Sequence, residues 1–159
     1  MRNNQGSLQK AREYAFLLLK FRQRSRKEIY ERLKKKKFGE EIINETISFL
    51  KLKGFIDDRL FAKAWIESRI KKPLGLRKIR QELNLKGIDK QIIDSEISEI
   101  KEKYAEEEVV GKIINKRLGR LKGIDPNRAK IRLYSYLLRR GFSPEIVIDT
   151  ITRICEHTS

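Results

Sequence analysis

Apolar residues recur at intervals of three and four along nearly the whole chain, with no sustained alternation of apolar and polar positions. That period collects them on one face of a helix, whereas a half-buried strand would need a period of two, so an all-α protein is predicted. Gly39, Gly54, Pro73, Gly75, Gly87, Gly123, Pro126, Gly141 and Pro144 fall between the periodic runs, where they would separate one helix from the next.

Superposing the runs exposes a threefold repeat. The stretches "KEIYERLKKKKFGEEIINETISFL", "RKIRQELNLKGIDKQIIDSEISEI" and "RLYSYLLRRGFSPEIVIDTITRI" share one apolar frame at offsets of 50 and then 54 residues. Ile29, Ile79 and Leu133 coincide, as do Leu33, Leu83 and Leu137, then Phe38, Ile88 and Phe142. The pairs Ile42–Ile43, Ile92–Ile93 and Ile146–Val147 follow, then Ile47, Ile97 and Ile151, and finally Leu50, Ile100 and Ile154. Each copy reads as helix, short turn, helix, with Gly39, Asp89 or Ser143 before the second helix and Pro144 at a first-turn position.

A further amphipathic run precedes each pair, at about 8–22, 58–70 and 107–120. The predicted unit is therefore a three-helix repeat, present at 1–57, 58–105 and 106–159. One such unit is too small to bury much core alone. Three tandem three-helix repeats stacked into an elongated, curved molecule would supply the remaining burial.

The segment "GFIDDRLFAKAW" at 54–65 lies on the first seam between repeats. Asp57 is placed to cap the following helix, and Asp58 sits where negative charge suits the helix dipole. The acidic triplet at 106–108 opens the corresponding helix of the third repeat. A metal site would need further oxygen ligands, and none is arranged around the aspartate pair in sequence. Phe61 and Trp65 continue an apolar stripe with Ala62, Ile66 and Ile70, which points to helix packing before base stacking.

Charge adds a functional direction. The 38 lysines and arginines outnumber the 22 acids, for a net charge of +16. The excess is spread over the three repeats (+8, +4 and +4), so no one region explains it. A surface this basic is the footprint of a polyanionic partner, nucleic acid foremost. Candidate contacts are Arg22, Arg24 and Arg26 at the first helix junction, and Arg69, Lys71, Lys72, Arg77 and Arg80 at the second. Arg117 completes the set because Arg22, Arg69 and Arg117 take matching places near the ends of the three first helices. A repeated arginine suits a regularly spaced anion, either a phosphate backbone or an acidic filament groove. The lysine run at 34–37 is accounted for by helix C-terminal charge and solubility.

Other chemistries find little support. Cys155 is the sole cysteine, so no intrachain disulfide can form, and His157 is the sole histidine, near the chain's end. Both are expected to be incidental. No GxSxG elbow and no phosphate-binding glycine loop occurs, so neither enzymatic activity nor a cofactor is expected. The opening "MRNNQGSLQK" lacks a signal-peptide core, and no apolar run approaches the ~20 residues that span a bilayer. A cytoplasmic monomer with no membrane contact is expected.

The stretch "RKEIYERLKKKKFGEEIINETISFLKLKGFI", taken alone, resembles the helix-turn-helix of a winged-helix repressor. A sequence-specific DNA-binding transcriptional regulator is thus the alternative. It would require a strand hairpin next, where a capped helix is predicted, and its reading helix at about 40–53 is poor in outward Arg, Asn and Gln. Across a longer span, the arginine-and-serine segment at 22–26, "GFIDD" followed by "FAKAW", and "LGLRKIRQEL" entering "KGID" occur in an order and spacing similar to the RecX family. The likeness is carried most strongly by residues 15–90. It implies an all-α chain of three-helix repeats that binds the recombinase RecA and its nucleoprotein filament. It further implies that filament growth, ATP hydrolysis, strand exchange and co-protease activity are mostly restrained, with weak non-specific nucleic-acid affinity alongside. No fixed catalytic residues come with the resemblance, so the contact candidates rest on charge placement alone.

Overall fold

The computed structural model describes residues 2–156, with side chains from residue 5 onward. His157 lies outside the described residues. Among those described, nine helices and no strand are present: α1 (Arg2–Phe21), α2 (Arg26–Lys35), α3 (Glu40–Leu52), α4 (Asp58–Ile70), α5 (Leu76–Leu85), α6 (Lys90–Lys101), α7 (Glu106–Leu118), α8 (Pro126–Arg139) and α9 (Pro144–Glu156). The all-α, three-repeat reading holds. Helix α4 follows α3 at once, where the winged-helix alternative would need strands. Helix α1 begins well before residue 8, because its first turns are polar and carry no periodic signal from which a start could be read.

The repeated apolar frame is the core. Ile29, Ile79 and Leu133 are at most 1% exposed, and Leu33, Leu83, Leu137, Ile43, Ile93 and Val147 are wholly buried. The frame loosens at its edges, where Phe38, Ile100 and Ile154 are half-buried. In the first repeat α1, α2 and α3 pack against one another, as do α7, α8 and α9 in the third. Phe61 is buried as its stripe requires, while Trp65 is only half-buried. Cys155 lies at the margin of the third repeat's core. Two compact units form: one comprises residues up to 64 with 83–93, the other 65–82 with everything from 94 onward, so α4, α5 and α6 each contribute to both.

Local chemistry sets the helix starts. Asp57 caps α4 by accepting the N–H groups of Arg59 (2.9 Å) and Leu60 (3.0 Å). Asp89 accepts from Gln91 N–H at 2.8 Å and Ser143 from Ile146 N–H at 3.3 Å, whereas Gly39 offers no side chain. Ser25 opens α2 in a reciprocal capping box with Glu28.

Within each unit one seam recurs, in which the start of a repeat's second helix is met from the next repeat. In the first unit the carboxylate of Asp58 accepts Arg26 N–H (2.8 Å), and the buried Ser25 hydroxyl donates to the carbonyl of Lys86 (2.7 Å). In the second, Glu106 accepts Leu76 N–H (2.7 Å), Gly75 N–H donates to the Arg140 carbonyl (2.8 Å), and Arg77 N–H donates to that of Gly141 (3.1 Å). Asp58 and Glu106 are each the first residue of a repeat's first helix. Asp58 therefore caps a helix other than its own, which its sequence position did not reveal.

The turns that dock at these seams come too close for a side chain. Gly141 has φ 85°, and a Cβ there would lie 2.4 Å from the backbone nitrogen of Lys78. Gly87 has φ 74°, with Lys27 Cβ only 2.6 Å from such an atom. The matching residue of the first repeat is Lys37, exposed and with φ 65°. Facing solvent, it bears only the left-handed penalty of about 1 kcal/mol.

Candidate functional site

The repeated arginine acts first within its own repeat. Arg22, one residue past α1, holds the Glu28 carboxylate with both terminal nitrogens at 2.9 and 3.0 Å. Arg69 donates to Glu82 at 2.7 Å, and its guanidinium lies 4.6 Å from the centre of the Trp65 ring. The indole N–H of Trp65 meets the same Glu82 oxygen at 2.9 Å. Arg117 lies over Tyr136, 3.4 Å from the ring centre. Glu82 and Tyr136 occupy matching places in their repeats, so Arg69 and Arg117 clasp the first helix to the second by different chemistry at one position.

Glu28 is the most heavily partnered carboxylate of the first unit, taking Lys86 Nζ at 2.5 Å besides Arg22. Burial pushes its pKa up, but the hydrogen bonds from Arg22 and Lys86 outweigh that and hold it at about 2. The same pairing raises Arg22. Arg24, whose Nε–H reaches the Leu18 carbonyl at 3.3 Å, is lowered by burial and then by the charge of Arg22. Glu106 shows the opposite case to Glu28: burial raises it, and only the Leu76 N–H and a distant Lys101 oppose that.

The remaining sequence candidates divide by their surroundings. Arg80 pairs with Asp94. Lys71 and Lys72 are exposed in the turn after α4. The side chains of Arg26, Lys71, Lys72 and Arg77 have no hydrogen bond or ion pair among the described residues. Arg26 lines a cleft of about 420 Å³, where Lys51 and Arg59 are offset by Asp57, Asp58 and Asp89.

The second unit presents a different electrostatic surface. Arg77, Lys78, Gln81 and Arg139 line a cleft of about 540 Å³ between α5 and α8. Arg139 also lines a second cleft of about 370 Å³, with Arg117, Arg132, Ser135 and Tyr136. Among the described residues no acid lines either cleft. Arg132 and Arg139 are absent from the sequence candidates, although their spacing of seven, with Ser135 and Tyr136 between, places all four on one face of α8. Against so uniformly basic a sequence, that pattern does not stand out until neighbouring acids can be located.

Three successive family models match, described as the first, second and third three-helix domains of RecX, at residues 11–50, 57–95 and 105–151. A protein named "Regulatory protein RecX" from Chlorobium phaeobacteroides (strain BS1) is 40% identical over 91% of this chain and 93% of its own. One of the same name from Chlorobium limicola is 34% identical over 93% and 91%. The crystal structure of RecX from Lactobacillus salivarius matches the fold with a TM-score of 0.83, at 23% identity over 93% of this chain and 96% of that one. Three domain matches in order, on a fold of three three-helix repeats, leave one assignment: the chain belongs to the RecX family of regulatory proteins.

Proposed function

We propose that this protein is a non-enzymatic, cytoplasmic, monomeric regulator that binds RecA and the RecA–DNA filament and restrains filament growth. Damped ATP hydrolysis, strand exchange and co-protease activity would follow from that restraint. The observation that carries the reading is the in-order match of all three RecX domains across the chain. The unpaired cations Arg26, Lys71, Lys72 and Arg77 supply candidate contacts, because a charge with no internal partner remains available to an anionic one. Arg22, Arg24, Arg69, Arg80 and Arg117 contribute less directly, since each already has a partner inside the protein.

The test is titration of the purified protein into RecA from the same source, assembled on single-stranded DNA, while ATP hydrolysis is followed. The expected result is a saturable fall in hydrolysis. Unchanged hydrolysis at excess protein defeats the reading.

A further inference from the structure

We propose that the paired clefts walled by Arg139 are a binding site for the sugar-phosphate backbone of single-stranded nucleic acid. This deepens the proposed function, and rests on it only for the biological role of the DNA. The site combines Arg77 and Lys78 from the start of α5 with Arg132 and Arg139 on one face of α8 and Arg117 at the end of α7.

Two features set this surface apart. First, it is uncompensated. Arg77, Lys78, Arg132 and Arg139 have no side-chain hydrogen bond or ion pair among the described residues, and no acid lines either cleft. The 420 Å³ cleft of the first unit has aspartates beside its arginines. Like charges gathered without counter-ions repel one another, and an incoming anion relieves that repulsion.

Second, the donors suit phosphodiesters. Four of the five cations are arginines, whose planar forks match phosphate oxygens in pairs. Ser135 adds a hydroxyl, and Arg117, stacked on Tyr136, holds a guanidinium at the cleft wall. Arg139 is common to both clefts, so one continuous anionic chain can be gripped in each, as a polymer of evenly spaced phosphates allows. Base edges have little to read here, which makes binding indifferent to sequence and sensitive to salt.

The experiment uses the full chain and a fluorescein-labelled oligothymidylate of about 20 nucleotides, longer than a small domain's footprint. Anisotropy is measured between about 50 and 200 mM salt, without RecA. Arg132→Gln/Arg139→Gln is expected to weaken binding about tenfold and to lower the log–log salt slope by about 1.4, the share of two phosphates on a single strand. Arg132→Lys/Arg139→Lys keeps the charge and should keep most of the slope. Lys35→Gln/Lys51→Gln, at exposed helical positions of the first unit, should change affinity less than about twofold.

Unchanged affinity in the double glutamine variant overturns the proposal, as does an equal loss in the first-unit control. Both variants change exposed helical positions to a good helix former, so a matching melting curve confirms that folding is intact. Polyglutamate that displaces the oligonucleotide as well as unlabelled DNA of equal charge would reassign the clefts to acidic protein. The same variants are run in the RecA hydrolysis assay. Lost restraint with intact oligonucleotide binding also overturns the DNA assignment. An inert wild-type protein in that assay overturns the proposed function alone, and the oligonucleotide result still decides the clefts.

Discussion

The two seams place equivalent residues in equivalent positions yet are held by different chemistry. In the first unit the contact runs through side chains: Ser25 to the Lys86 carbonyl, Asp58 to Arg26 N–H, and Glu28 between Arg22 and Lys86. In the second it runs mainly through the backbone, from Gly75 to Arg140 and from Arg77 to Gly141, with two side chains added: the buried Glu106 carboxylate, and Arg140, whose Nε–H donates to the Pro73 carbonyl at 2.9 Å. A side-chain seam tolerates a small shift because long side chains follow it. A backbone seam does not, since each bond requires two main chains at contact distance. The second should therefore be the less forgiving of substitution, and the first the more responsive to pH.

The largest effect is expected from adding one methyl group to each docking turn. Gly141→Ala drives a Cβ into the backbone of Lys78 and imposes a left-handed conformation, at about 3 kcal/mol or more. Gly87→Ala meets the flexible side chain of Lys27 and should cost about 1–2 kcal/mol. Urea denaturation of both variants measures the gap, and equal losses would erase the distinction between the seams.

Glu28→Gln comes next, at about 2 kcal/mol near neutral pH, because Arg22 and Lys86 then lose the charge they share. The folded pKa of about 2 lies below the ordinary 4.5, so this stabilisation is complete above pH 4.5 and is lost as pH falls through 2. Wild type and Glu28→Gln should thus converge in stability on acidification. A constant difference between them would mean that the charge is not what matters.

Glu106 should behave in the reverse sense, with a smaller effect. Its pKa is raised by burial, so the folded state holds the proton more tightly than the unfolded one, and ionisation as pH rises opposes folding. Glu106→Gln keeps an oxygen for Leu76 N–H without the buried charge and should stay within about 0.5 kcal/mol of wild type. Glu106→Ala orphans that N–H and should cost about 1–2 kcal/mol, read from the same denaturation curves.

The fold was legible because its signal is periodic and local. Each fully buried position of the frame, from Ile29 to Val147, could be found by counting threes and fours. The same counting marked Asp57 as a cap, since a cap and its partners lie within one turn. The functional surface was much less legible. Arg22, Arg69 and Arg117 were conspicuous for recurring, yet they recur as clasps onto Glu28, Glu82 and Tyr136. Arg132 and Arg139 were inconspicuous in a chain with 38 basic residues, because what distinguishes them is the lack of a nearby acid.

By itself the sequence determined the helices, their threefold repetition, the core frame and the basic excess, all properties of spacing and composition along one chain. Tertiary structure alone decided which charges are spent and which remain available. Asp58 serves a helix 32 residues away, and Lys86 reaches Glu28 across 58. Electrostatic pairing depends on distance in space, and sequence separation does not encode it at these ranges.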